Sequence, residues 1–169
     1  MKRVIVIGSP GAGKSTFARA LRDITGLPLY YLDMIHHKAD GTNVPREEFD
    51  SRLSVILGRE QWIIDGNYQR TLRVRLEKCD TVFLLDYPTE ICLAGAAGRV
   101  GVKREDMPWV ETGFDPEFRQ FITDFSKVCL PDIYKALESV PDKGIVIMKS
   151  REQAEKYLRE LESSYRGRE

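Results

Sequence analysis

Five short apolar runs punctuate the chain, and between them apolar residues recur at helical spacing. Val4-Ile5-Val6-Ile7, Leu29-Tyr30-Tyr31-Leu32, Trp62-Ile63-Ile64, Thr81-Val82-Phe83-Leu84-Leu85 and Ile145-Val146-Ile147-Met148 are unbroken, as strands covered on both faces require. After the first run, Phe17, Leu21 and Ile24 share one helical stripe. That predicts a helix from Lys14 to about Thr25, stopped by Gly26 with Pro28 just beyond. Pro45 opens a second helix with Phe49, Leu53, Ile56 and Leu57 inward. Leu72 and Leu76 mark a short third, and a fourth runs from Ile91 to about Val100, weakened by Gly95 and Gly98. Phe118, Phe121, Ile122, Phe125 and Val128 define a long helix that Pro131 breaks or kinks. Ser150 or a neighbour caps a last helix carrying Ala154, Tyr157, Leu158 and Leu161. Residues 34–45 and 101–116 have no clear period and read as a loop over the sheet edge and a charged excursion. Beyond Ser163 the polar tail is expected to fray.

Strands alternating with helices predict an α/β three-layer sandwich around a five-stranded parallel sheet. Such sheets bind ligands beyond the carboxyl ends of their strands. The five runs end at Gly8, Asp33, Asp65, Asp86 and Lys149, so polar residues gather where a ligand belongs.

The first strand leads into Gly8-Ser9-Pro10-Gly11-Ala12-Gly13-Lys14-Ser15-Thr16, which matches the phosphate-binding loop G-x-x-x-x-G-K-[ST]. Glycines let the backbone turn its N–H groups inward around a phosphate. Lys14 reaches the β- and γ-phosphates, the Ser15 hydroxyl ligates Mg²⁺, and the following helix offers its N-terminus to the same anion. A nucleoside triphosphate, ATP, with Mg²⁺ is the expected ligand of residues 8–16.

Phosphoryl transfer also needs an acid for the metal, cations for the moving charge and a hold on the acceptor. Asp65, closing an apolar strand, is the candidate second metal residue beside Ser15. Asp33 is placed to orient or deprotonate an acceptor hydroxyl, or equally to cap a turn. Asp86 before Tyr87-Pro88 reads as an Asx-type turn. Arg70, five residues after Asp65, opens a helix toward the cleft. Arg99, Lys103 and Arg104 lie at the base of the charged excursion, whose closure as a lid would bring them onto phosphate oxygens. The catalytic candidates are Lys14, Asp33, Arg70, Arg99 and Arg104. Arg46 and Arg52 lie over the acceptor side, and the sequence does not choose between them. His36-His37 has no partner motif and is not read as a metal site.

Composition narrows the classes. At 169 residues the chain is one domain's worth, with an acceptor-side insert over about 34–60 and a lid over about 99–116. Twenty-six basic residues balance twenty-six acidic ones, so net charge gives no argument for nucleic acid or membrane. The three cysteines, Cys79, Cys92 and Cys129, sit among apolar neighbours and read as reduced core thiols of a cytoplasmic protein.

These motifs resemble the adenylate-kinase-like branch of P-loop kinases over essentially the whole chain, which implies the strand order 2-3-1-4-5. Asp65-Gly66-Asn67-Tyr68-Gln69-Arg70-Thr71 is similar to the Asp-Gly-Phe-Pro-Arg-Thr run of nucleoside-monophosphate kinases. There the Asp serves Mg²⁺ and the Arg holds the acceptor phosphate, which the resemblance carries onto Asp65 and Arg70. Here the run is one residue longer with Asn-Tyr-Gln in place of Phe-Pro, so AMP is not carried over as acceptor. Trp62-Ile63-Ile64-Asp65-Gly66-Asn67-Tyr68, Leu84-Leu85-Asp86-Tyr87-Pro88 and Lys103-Arg104-Glu105-Asp106-Met107-Pro108-Trp109 resemble the bacterial DNA topology modulation (FlaR-like) proteins. That name implies an effect on DNA, although helix-turn-helix spacing and net basic charge are both missing. The leading expectation is a kinase for a small acceptor such as a nucleotide or nucleoside. The alternative is an ATP-binding regulatory protein acting on DNA topology. A GTPase switch is disfavoured, because no Asn-Lys-x-Asp run occurs and no glycine stands three places after Asp65. A motor of the AAA type would need more chain.

Overall fold

In the computed structural model, residues 1–167 are described. Five parallel strands, β1 (Arg3–Gly8), β2 (Leu29–Tyr31), β3 (Trp62–Asp65), β4 (Thr81–Leu85) and β5 (Gly144–Met148), pair in the order β2-β3-β1-β4-β5. The helices are α1 (Lys14–Thr25), α2 (Leu32–His36), α3 (Arg46–Leu57), α4 (Gln69–Lys78), α5 (Thr89–Ala97), α6 (Pro116–Val128), α7 (Leu130–Glu138) and α8 (Arg151–Arg166).

Why the strands are apolar throughout follows from the two cores. Successive side chains of a strand face opposite ways. Ile5, Ile7, Trp62, Ile64, Val82 and Leu84 pack with Phe49, Leu53, Leu72, Leu76 and Ile133 of α3, α4 and α7. Val4, Val6, Ile63, Phe83 and Met148 pack with Phe17, Leu21, Cys92 and Ala154 of α1, α5 and α8. The predicted sandwich and strand order are thus observed.

Several local expectations are corrected. The second strand stops at Tyr31, and Leu32–His36 form a one-turn helix where strand end and loop were predicted. Leu32 is fully buried against the core, so burial of one residue fixes a turn that has no period to announce it. Of the two outcomes expected at Pro131, the break is the one observed. α6 ends at Val128, and Pro131 sits at the second position of α7, where a missing N–H costs nothing. Only Ile122 and Phe125 of the α6 stripe are buried, while Phe121 and Val128 are exposed. α8 continues past Ser163 to Arg166, its Ser150 side chain accepting the Gln153 N–H at 3.3 Å. The terminal two residues lie outside the described part. Among the described residues, no helix is long and apolar enough to cross a membrane.

Candidate functional site

The site forms where β1 gives way to α1. Gly11 and Gly13 hold φ of +80° and +90°, conformations that side chains with a Cβ resist. The loop they shape lies directly on α5: a Cβ on Gly11 would stand 1.9 Å from the Cys92 carbonyl oxygen, and one on Gly95 2.1 Å from that of Gly11. Gly95, expected only to weaken its helix, is therefore the floor on which the loop rests. From the other side Asn67 clasps the loop's first residue, its Nδ2 donating to the Gly8 carbonyl at 2.7 Å and its Oδ1 accepting the Gly8 N–H at 3.0 Å.

Lys14 is buried and donates from Nζ to the Ser9 carbonyl at 3.1 Å. Burial lowers its pKa, while the Asp65 and Asp33 carboxylates oppose that shift. Ser15 donates its hydroxyl to Asp65 Oδ2 at 2.5 Å. Asp65 is 5% exposed, and its other oxygen is buried without a hydrogen-bond partner. Burial raises its pKa to about 6, with the charges of Asp33 and Asp106 pushing the same way against Lys14 and Ser15. An orphaned carboxylate oxygen beside a hydroxyl is a hard-oxygen donor set, which suits Mg²⁺. Among the described residues, no three His, Cys, Asp or Glu side chains form a metal-holding group. A Mg²⁺ ion here would draw its other ligands from phosphate and water, as it commonly does.

A groove of about 430 Å³ opens beside the loop and is bordered by Gly13, Ser15, Arg19, Arg99, Arg104 and Arg151. That size accommodates a cofactor-sized ligand. Phe17, Tyr87 and Leu158 give its wall an apolar part. Arg99 and Arg104, expected from the sequence, are there, with burial lowering the pKa of Arg99 and the neighbouring Arg104 charge adding to it. Lys103 is exposed and does not line the groove. Arg19 and Arg151 were not anticipated, though both left a signal: Arg19 is one helical turn beyond Ser15 on the same face, and Arg151 lies just past the end of β5. Residues 98–115 form no helix or strand. They fold back over the loop, with Arg104 bridging Asp106 at 3.2 Å and Glu111 at 3.3 Å.

The other expected residues lie on the opposite side. Asp33 sits on α2 and accepts the Tyr68 hydroxyl at 2.7 Å. Burial, then the Asp33 charge, pushes the pKa of that phenol up. Tyr68 itself has φ of +38°, unusual for a bulky residue. The turn is tied down by Arg75, wholly buried on α4, which donates to the carbonyls of Gly66 at 2.8 Å, Tyr68 at 3.2 Å and, more closely, Asn67. Arg70 gives both terminal nitrogens to Asp50 of α3, at 3.0 and 2.6 Å, and lies over the Phe49 ring, not in the groove. Arg52 pairs with Glu48, and Arg46 is exposed. The two histidines do have partners. His36 meets the Phe49 and Tyr68 rings, and His37 meets Asn43 and the Trp109 ring at 4.9 Å. Asp86 makes no Asx turn with its side chain; it accepts from Tyr134 at 2.6 Å and pairs with Lys149, tying β4 to the end of β5.

This geometry can be set beside known proteins. No protein-family profile matches the chain. Adenylate kinase of Thermotoga petrophila is 30% identical over 97 residues, 56% of this chain and 43% of that enzyme. Adenylate kinase of Thermosipho melanesiensis is 30% identical over 101 residues, 57% of this chain and 45% of that enzyme. The chain thus spans less than half the length of the curated relatives it matches. Shikimate kinase from Acinetobacter baumannii, solved in complex with shikimate, superposes with a TM-score of 0.59 at 19% identity, covering 97% of this chain and 95% of that one. The fold is that of a P-loop kinase. The P-loop of this kinase-like fold therefore lies at the carboxyl end of its central strand, with the groove on one side and Asp33 on the other.

Proposed function

We propose that the protein is a Mg²⁺-dependent phosphotransferase moving the γ-phosphoryl group of ATP to a small acceptor. The observation that carries this reading is the groove. A P-loop with Lys14 and the Ser15–Asp65 pair opens into a space bordered by four guanidinium groups, Arg19, Arg99, Arg104 and Arg151. Kinase relatives that match over somewhat more than half of the chain support it.

Each residue then has a task. Main-chain N–H groups between Gly11 and Thr16, at the α1 N-terminus, hold the phosphate oxygens, with the rest of the 8–16 loop shaping the cradle. Lys14 turns from Ser9 to the β- and γ-phosphates. Ser15 and Asp65 hold the metal, which when bound offsets charge on the phosphate oxygens. Arg99 and Arg104 stabilise charge that develops on the transferred group, in a space from which the folded-over segment excludes water. Asp33, held by the Tyr68 hydroxyl, faces the acceptor side and orients the attacking hydroxyl or accepts its proton. Arg70 lies on that same side and serves acceptor binding.

The test is to follow ADP release with Mg-ATP and a panel of nucleotides, nucleosides and small alcohols, against Lys14→Ala. One acceptor should raise turnover, and Lys14→Ala should lower it by a factor of 100 or so while leaving the thermal midpoint in place, as loss of a charge-stabilising donor does. Turnover that no acceptor stimulates would reject the kinase reading. The resemblance to DNA topology modulation proteins supplies the competing reading. Binding of supercoiled DNA, steeply weakened by salt, would then take its place.

A further inference from the structure

Asp106 lies in the run Lys103-Arg104-Glu105-Asp106, yet it is 4% exposed. Its neighbour Glu105 makes the surface contacts that hold this segment, accepting from Arg22 at 2.7 Å and from the Tyr31 hydroxyl at 3.0 Å. Asp106 turns inward. Its Oδ2 comes within 3.2 Å of the Ser15 hydroxyl oxygen, which is also 2.5 Å from Asp65 Oδ2. A hydroxyl has one proton, and the shorter contact takes it. Asp106 is then left facing an oxygen lone pair, with a second carboxylate just behind it. Arg104 at 3.2 Å and Arg19 at 3.6 Å offset the charge of Asp106. Asp65 forms no ion pair: its Oδ1 is buried and unpartnered, and the Lys14 ammonium, which eases the Asp65 charge from nearby, donates to the Ser9 carbonyl instead. Three oxygens converge, and the buried Asp65 keeps one carboxylate oxygen without a hydrogen-bond partner.

We propose that Asp106 is a third protein ligand, direct or through one water, of the divalent cation accompanying the nucleotide, joining Ser15 and Asp65. The proposal rests on the nucleotide-binding reading above and deepens it. An all-oxygen set selects Mg²⁺ or Mn²⁺ over softer ions. Because Asp106 shares its segment with Arg99 and Arg104, its bond to the cation helps hold both guanidinium groups over the groove. Metal occupancy and lid position are thereby coupled.

Mn²⁺ replaces Mg²⁺ as the probe, titrated by electron paramagnetic resonance into the full chain saturated with a non-hydrolysable ATP analogue. Asp106→Asn keeps the shape and removes the charge; Glu105→Gln loosens the same segment outside the donor set. Expected are an Mn²⁺ affinity at least about tenfold weaker in Asp106→Asn, little change in Glu105→Gln, and analogue binding in EDTA altered less than threefold by either. Equal Mn²⁺ affinity in Asp106→Asn and the unaltered chain overturns the proposal, as does tighter analogue binding in EDTA, which would mark Asp106 as a stand-in for phosphate. If the unaltered chain binds neither analogue nor Mn²⁺, the nucleotide reading itself falls. Should Asp106→Asn melt early, the unaltered chain still decides: Fe²⁺ with ascorbate cuts backbone near bound iron, and cuts near residues 15 and 65 but not 106 overturn the proposal.

Discussion

Gly95 and Gly98 stand three residues apart on α5 and at its end, but a methyl group added to each meets different surroundings. At Gly95 it would lie 2.1 Å from the Gly11 carbonyl, a clash with backbone that cannot swing aside. At Gly98 its nearest neighbour is the Ala94 carbonyl at 3.5 Å, an ordinary contact. Replacing a helical glycine by alanine gains about 1 kcal/mol of helix propensity, whereas forcing atoms into a packed region costs about 1–3 kcal/mol. Gly95→Ala should therefore lower the thermal midpoint and weaken ATP binding, since the P-loop is what must move. Gly98→Ala should be neutral or stabilising by up to about 1 kcal/mol. Differential scanning calorimetry with and without ATP reads both. His36 offers a test by pH. Burial, followed by the neighbouring His37 charge, lowers its pKa; Arg70 acts in the same direction and Asp33 against it. With the folded value below the unfolded one, the unfolded chain binds the proton first. Stability is lost as pH falls below the unfolded pKa and on toward the folded one. Urea midpoints of His36→Phe should be flatter than those of the unaltered chain between pH 7 and about 5.

At the scale of elements, α4 shows what the sequence tells and what it hides. Leu72 and Leu76 revealed its inner face, but Arg75 beside them reads as one more surface cation in Gln69–Lys78. It is instead wholly buried, its fork spread over three carbonyls of the turn after β3. No period distinguishes a buried arginine from an exposed one; only the unpaired carbonyls of a strained turn call for it. Arg75→Met should cost about 3 kcal/mol in urea unfolding, the range for losing several hydrogen bonds from a buried charged group. Arg75→Lys should recover little, because a single ammonium cannot span three acceptors. The strands, by contrast, were legible to within a residue or two, since burial on both faces leaves an unbroken apolar signature. The P-loop was legible because its glycines are demanded by backbone shape. α2 was not: five residues hold no period. Arg151, Asp106 and Asn67 were missed because the P-loop and groove residues they meet are distant in sequence, so only the assembled fold brings them together. Arg19, one turn from Ser15, was missed because a helical face does not mark which of its cations borders a groove.

The whole molecule sets a cationic groove on one side of the P-loop and an aromatic, carboxylate-bearing surface on the other. Arg104 is tied to Asp106 and Glu111 within the segment over residues 98–115. On the proposed kinase reading, its guanidinium meets charge that grows during transfer more than it meets the resting triphosphate. Arg104→Ala should thus lower kcat by about 10–1000-fold and leave the Kd for ATP within a few fold. Stopped-flow binding alongside steady-state turnover separates the two, and equal losses would make Arg104 an ordinary binding residue.

Trp62 is sealed in the sheet and Trp109 rides on the segment above it, edge-on to His37. They are the chain's two indoles. The buried indole keeps its environment whatever the segment over residues 98–115 does, while Trp109 would report any movement of it, so the unlabelled protein carries an internal standard and a reporter in a single emission spectrum. The lid closure expected of that segment is thus open to test by intrinsic fluorescence, with no dye to disturb the surface being watched.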